Sequence, residues 1–388
     1  MLNSLKYDIG IEYTQLKDKF VICKRKENIM ETFPVNFRSG SLDLNAIVTE
    51  YDHHRKFKVE MVTKEPQPIL MIRSARGEWT VADRGTRNFS DSDFKELGNA
   101  IEVQLNEIYS VKNMLVLTDF SDAATNAASY AAALAYQLKT RRLILYHAYD
   151  PIVVPPTDFT PVSGGFIESP ELSLQKINDL KDDLEAWVSK QTDIEVRTDG
   201  RNLINGVNAL AEQQRIGLVV AGITGKSSIE RTLVGSNTIT LAKNCLAPLL
   251  IVPPVAAFQP IKTVVFACDL KRVSESTPVL GIKTFLNALG ARLIILNVDY
   301  DGANFDPGTL KEMTHLHELW DDEEPEYHYI EHEDIAAGIM EFAGQQRAEM
   351  VITVPKQYGF FESLFHRSLT KKLTYHTHLP LLLFREDI

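Results

Sequence analysis

Gly222, Gly225 and Gly235, the last followed at once by Ser236, stand at fixed spacing behind the apolar run Leu218-Val-Val-Ala221. A residue without a side chain lets an anionic group come close to backbone N–H groups, and an apolar strand ending in glycine before a helix is where an α/β sheet exposes them. These residues read as a cradle for phosphate. Ser236 is placed to cap the next helix, over Thr238–Lys243, and to donate its hydroxyl to a phosphate. Asp119 stands two residues beyond a second apolar run, Met114-Leu-Val-Leu117, where a carboxylate can accept hydrogen bonds from a ribose or an adenine. Its other role would be to cap the following helix, for which Ser121 is the better candidate. Thr118 and Asn237 flank the same cleft.

Other chemistries fit less well. Gly225-Lys-Ser227 lacks the glycine that a Walker A loop carries five residues before Gly225, where Val220 stands. Ser163-Gly-Gly165 is similar to the loop of ATP pyrophosphatase-like enzymes, yet it lies in an insertion after the second strand and reads as a turn. His315 and His317, two apart on a helix, point to different faces, and His376 and His378 lack a nearby Cys or carboxylate partner, so no metal site is expected. No Ser-His-Asp or Cys-His spacing is recognisable. The chain shows no dedicated catalytic base, and ATP hydrolysis, if any, would be slow and incidental, because fast phosphoryl transfer needs positioned water, a base and charge stabilisation together. Cys23, Cys245 and Cys268 are scattered without a CxxC and read as inert core thiols in a reducing compartment.

The spacing Gly-x2-Gly-x9-Gly-Ser resembles the ATP-binding signature of the universal stress protein family. The resemblance extends to Asn113-Met-Leu-Val-Leu-Thr-Asp-Phe-Ser121, like that family's first strand with its acidic end, and to Leu143-Ile-Leu-Tyr-His-Ala148, like its second. It implies a Rossmann-like (adenine nucleotide alpha hydrolase-like) α/β fold and ATP, with or without Mg2+, as ligand. It also gives Asp119 the nucleotide role and sets the backbone of Ala148 against the adenine ring. Leu117 departs from the proline common at its position in the family.

These residues must be held by a larger frame. At 388 residues the chain predicts two or three compact units. Residues 1–110 predict a small α+β domain of unknown role, with short antiparallel strands at Phe57–Val62, Ile69–Arg73 and Trp79–Ala82. Behind Ser90–Asp93 a helix follows, striped by Phe94, Leu97, Ile101, Leu105 and Ile108. From Val111 apolar strands alternate with helices, the pattern of a mostly parallel sheet covered on both faces. After Pro253–Pro260 the plan repeats: Ala211-Glu-Gln-Gln-Arg215 returns as Ala343-Gly-Gln-Gln-Arg347, Pro248-Leu-Leu250 as Pro380-Leu-Leu382, and Asp119 as Asp269. Two tandem universal stress domains, 111–254 and 260–388, account for this. Carried through the glycine region, the correspondence sets Val354, Gln357, Arg367 and Ser368 against Gly222, Gly225, Gly235 and Ser236. The second domain is thereby expected to be closed to ATP. Family members commonly pair two domains through the last strand, which implies that Pro248–Val252 and Pro380–Phe384 meet as an intrachain pseudo-dimer, with a homodimer of whole chains open besides.

A net charge of −11 argues against sequence-independent binding of nucleic acid or anionic membrane. The acid-rich run Asp299–Asp334 reads as a solvated face. The amino terminus has no leader pattern and no apolar run is long enough to span a membrane, so a cytoplasmic protein is expected. The resulting expectation is an ATP-binding stress-response sensor or adaptor that couples nucleotide to an unknown protein partner. A slow nucleotide hydrolase or transferase centred on Asp119 and Ser236, and a nucleotide-free scaffold, are the competing readings.

Overall fold

Period-two alternation in the first hundred residues and near-continuous apolar runs thereafter demand two kinds of sheet: one with a single covered face, one covered on both. A computed structural model describes residues 6–7, 11–16, 19–22, 29–51, 56–62, 67–74, 77–149, 170–223, 236–299, 307–355 and 379–386. The chain divides into two units, residues 1–102 and 103–387, the division falling within one helix.

In the first unit β1 (Lys6–Tyr7), β2 (Ile11–Leu16) and β3 (Lys19–Ile22) form a small antiparallel sheet. A separate antiparallel meander contains β4 (Ile29–Ser39), β5 (Leu42–Tyr51), β6 (Lys56–Met61), β7 (Ile69–Arg73) and β8 (Trp79–Asp83), adjacent in chain order. Phe33, Val35 and Phe37 of β4, Val48 of β5, Phe57 and Val59 of β6, and Ile69 and Met71 of β7 are buried at alternate positions. Helix α1 (Asp91–Tyr109) opens on a reciprocal cap: the Ser90 amide donates to Asp93 Oδ2 at 2.8 Å and the Asp93 amide to Ser90 Oγ at 3.2 Å. Of its expected stripe, Phe94, Leu97, Ile101 and Leu105 are buried and Ile108 is half-buried. Arg73 fastens β7 to α1 through two hydrogen bonds of 2.8 Å to Glu102.

The second unit alternates strands and helices. Its first half runs β9 (Asn113–Leu117), α2 (Asp122–Leu138), β10 (Arg142–Ala148), α3 (Pro170–Glu185), β11 (Asp193–Asp199), α4 (Leu203–Gln213), β12 (Leu218–Gly222), α5 (Ser236–Asn244) and β13 (Leu249–Val252). Its second half runs β14 (Thr263–Ala267), α6 (Val273–Ser276), α7 (Val279–Leu289), β15 (Arg292–Asp299), α8 (Pro307–Trp320), a 3-10 turn at Asp321–Glu323, β16 (Glu326–Glu331), α9 (Ile335–Gln345), β17 (Met350–Thr353) and β18 (Leu381–Leu383). All the strands enter one sheet in the order β11-β10-β9-β12-β13-β18-β17-β14-β15-β16. Neighbours are parallel except β13 and β18, which pair antiparallel with Leu249 opposite Leu383, Leu250 opposite Leu382 and Ile251 opposite Leu381. The correspondence that sets Pro248-Leu-Leu250 against Pro380-Leu-Leu382 thus places Leu250 opposite its own counterpart. The strand order of each half mirrors the other about that pair.

Alternate residues of each strand face opposite layers. Met114 and Val116 join a core that includes α2, α3, α7 and α8, while Leu115 and Leu117 join one that includes α4, α5 and α9. The alanines of α2, with Ala127, Ala128, Ala131 and Ala132 buried, allow the helix to lie close on the sheet. Its polar side chains hold the connector between the halves. Asn126 Nδ2 donates to the carbonyls of Pro253 and Ala256, each at 3.1 Å, and Gln137 exchanges hydrogen bonds with the backbone of Ile261 at 2.8 and 2.9 Å.

The acid-rich run is more than a solvated face. Asp322 and Glu323 form ion pairs with Lys283, a lysine almost wholly buried in α7, and Asp321 accepts hydrogen bonds from the Tyr327 hydroxyl at 2.7 Å and from His317 Nδ1 at 2.9 Å. A buried ammonium requires such partners, which is why carboxylates collect there. Among the described residues no helix is long and apolar enough to cross a membrane.

Candidate functional site

From β9 the chain crosses α2 to β10 on one side, and from β11 it crosses α4 to β12 on the other. The carboxyl ends of β9 and β12 therefore flank a topological switch point, where open α/β sheets form their ligand crevice. β9 ends at Leu117, so Thr118 and Asp119 stand at that edge; β12 ends at Gly222, and α5 starts beyond it.

Asp119 is exposed and Thr118 buried. The described hydrogen bonds of Asp119 both use Oδ1, which accepts from the Ser121 amide at 3.0 Å and the Ser121 hydroxyl at 2.6 Å. Ser121 Oγ in turn accepts from the Ala124 amide at 3.2 Å and caps α2. The capping role weighed for Asp119 falls to Ser121; Asp119 Oδ1 steadies the turn and the capping serine, and the residue is exposed. The turn needs Phe120 in the left-handed region, at φ +62°, a costly conformation for a bulky residue. Phe120 is held by packing against the tilted ring of His147, with ring centroids 4.5 Å apart, and by Lys176 Nζ 5.2 Å from its ring. The Thr118 amide donates to the Tyr146 carbonyl at 2.9 Å, while Thr118 Oγ1 accepts from the Phe120 amide at 3.0 Å.

Ala148 closes β10, in register with Asp199 of β11. Asp199 carries Arg201, whose Nε donates to Oδ2 at 2.6 Å; that bond holds the Asp199 carboxyl below the usual carboxylate range against the opposing effect of burial. Just beneath, Tyr146 is buried with its hydroxyl unpartnered among the described residues, and burial, with the Asp199 charge second, raises its phenol to about 12. Sequence reading missed this residue because the helix it faces, α4, is distant in the chain.

Gly222 has a structural task. A Cβ there would fall within the shell of the Ala123 carbonyl oxygen, 2.7 Å from its carbon and 3.1 Å from the Ala124 amide nitrogen. The glycine lets the first turn of α2 approach β12, which also sets the position of Asp119. Ser236 is the first residue of α5 rather than the residue before it, and the helix runs from Ser236 to Asn244. Asn237 is exposed in the first turn of α5. Gly225 and Gly235 lie outside the described residues, as do Gln357, Arg367, Ser368 and the loop 150–169.

The second half repeats the turn and changes what surrounds it. The Lys271 amide donates to Asp269 Oδ1 at 3.1 Å and Leu270 is left-handed at φ +52°. Val354, opposite Gly222 in the sequence correspondence, is buried. The helix that follows is broken into α6 and α7 at Thr277–Pro278, and the Val273 amide at its start donates to Glu312 Oε2 at 2.6 Å.

The doubly wound order, the switch point and an acidic turn beside a glycine-ended strand define a Rossmann-like α/β class. Within it, residues 110–253 match the model of the universal stress protein family. A universal stress protein of Methanocaldococcus jannaschii is 28% identical over 149 residues, covering 36% of this chain and 81% of that protein. Among solved structures, a universal stress protein from Archaeoglobus fulgidus aligns over 72% of this chain and 97% of its own at 14% identity and a TM-score of 0.48. A universal stress protein in complex with cAMP aligns over 37% of this chain and 98% of its own at 24% identity and a TM-score of 0.29. The match to the universal stress protein family thus covers residues 110–253, and the second α/β half lies outside it.

Proposed function

We propose that the chain is a cytoplasmic ATP-binding sensor or adaptor of the stress response, built as two tandem universal stress domains behind an α+β domain. The first of the two holds the nucleotide. One observation carries this reading. At the switch point the exposed Asp119 carboxylate, the glycine-ended β12 and the opening turn of α5 belong to the same segment, 110–253, that matches the family. The described part of the site fits a nucleotide, since Asp119 and Asn237 are exposed and Gly222 adds no side chain to the edge. Asp119, with Thr118 beside it, would take ribose hydroxyls and the main chain at Ala148 the adenine. Amides from Gly225 and from Gly235 to Asn237, with the Ser236 hydroxyl, would take the phosphates. Bound ATP would act by mass action, adding about 2.7 kcal/mol of stability at a hundredfold excess over its Kd. In the second domain Val354 would stand where the first has glycine, leaving that half as the structural partner.

Calorimetric titration of the full chain with ATP, with and without magnesium, tests the reading. Replacing Gly225 and Gly235 by leucine is expected to abolish the heat of binding while the thermal transition remains. Unchanged ATP affinity in the folded double variant would refute the nucleotide site.

A further inference from the structure

Asp119 has no strand of its own to hold it; the turn 118–121 hangs beyond the end of β9. One side chain of the neighbouring strand reaches it. His147 of β10, buried, lies with Nδ1 2.8 Å from the Thr118 carbonyl oxygen. In the second half Asn297 of β15 donates from Nδ2 to the Cys268 carbonyl, also at 2.8 Å and also across 29 residues. Thr118 and Cys268 are the residues immediately before Asp119 and Asp269. Both halves therefore pin the same carbonyl from the same place on the next strand, with different side chains.

The comparison separates two things His147 does. Its ring packs against Phe120, and it bonds to the Thr118 carbonyl. Asn297 has no ring, yet the turn at Asp269 keeps the same left-handed residue and the same amide-to-carboxylate bond. The hydrogen bond is the shared determinant. A carbonyl only accepts, so Nδ1 must carry the proton, which the Nδ1–H neutral tautomer and the imidazolium both supply.

We infer that His147 is a positioning residue for the nucleotide site: its Nδ1–H, donated to the Thr118 carbonyl, fixes the turn that presents Asp119 to the ribose. This rests on the nucleotide reading for its consequence and on the paired geometry for its existence, so the test has an arm for each. In the ligand-free full chain, nitrogen-15 NMR of the imidazole is expected to show the proton on Nδ1; a neutral Nε2–H tautomer overturns the inference. His147→Asn, which copies Asn297, is expected to keep amide protection at Phe120 and Ser121 and to hold ATP affinity within about twofold. His147→Leu, which strands a buried carbonyl, is expected to lose that protection and about tenfold in affinity. Its preference for ATP over 2′,3′-dideoxy-ATP should also fall towards unity, which a general loss of stability would not cause. Asparagine failing as badly as leucine, or leucine leaving protection and preference intact, overturns the role. If the wild-type chain takes no ATP, the nucleotide reading alone fails, and the tautomer and the exchange at Phe120 still decide the positioning. Should the leucine variant not fold, the asparagine variant and the tautomer decide it.

Discussion

The hydroxyl of Tyr146 and the missing side chain of Gly206 form a couple that can be measured. A methyl group added at Gly206, at the end of the first turn of α4, would fall inside the shell of Tyr146 Oη, 2.9 Å from Cζ and 3.7 Å from Asp199 Oδ2. Tyr146 is buried between sheet and helix, so the ring cannot swing aside. Gly206→Ala gains up to about 1 kcal/mol of helix propensity, while the overlap costs about 3 kcal/mol, the upper end for overpacking. The net loss is about 2 kcal/mol. Tyr146→Phe alone removes a buried hydroxyl that has no partner among the described residues and is expected to be neutral or to stabilise by up to about 1 kcal/mol. In the phenylalanine background the oxygen overlap is gone, the remaining ring contact offsets the propensity gain, and Gly206→Ala becomes nearly neutral. The coupling energy is then about 2 kcal/mol. Amide exchange in β10 and α4, followed across urea for the four proteins, reads this locally in a chain that divides into two units. Additivity within about 0.5 kcal/mol would refute the geometry.

Two further outcomes follow from the same edge of the sheet. Gly222→Ala presses a methyl against the Ala123 backbone, which cannot rotate away, and is expected to cost about 2–3 kcal/mol even without ligand; a thermal transition unchanged in buffer would dismiss the packing role. Tyr146 ionises near 10 when unfolded and at about 12 when folded, so the protonated phenol favours the fold. Its contribution is whole below pH 10 and is lost as pH rises towards 12, a loss that Tyr146→Phe is expected to reduce in alkaline urea titrations; identical alkaline profiles for the two proteins would contradict it.

The sequence was most legible where local chemistry and tertiary demand agree. Ile69–Arg73 and Leu249–Val252 are strands with the bounds their apolar runs suggest, and Ser121 caps α2 as its hydroxyl before an alanine-rich segment requires. It was least legible where a residue answers to a distant partner. Gly222 also meets a packing demand that nothing in its neighbourhood announces, since Ala123 sits over it. Ser236 looked like a cap because serine favours that position, yet the helix begins at it. The meander of the first unit was read from three runs only. The long hairpin β4–β5 announces itself only by the alternation of Phe33, Val35 and Phe37. His147 left one signal, an equal interval of 29 residues to Thr118 and from Asn297 to Cys268, which acquires meaning only when the strands are laid side by side.

Strand pairing of the β13–β18 kind, made between separate molecules, would be governed by their concentration. Here both strands belong to one polypeptide, and the segment joining the halves is itself tied down along α2. The association has become unimolecular, with an effective concentration set by the tether. It survives any dilution, keeps the two unlike halves in a fixed one-to-one ratio, and lets one of them drift in sequence without ever losing the other.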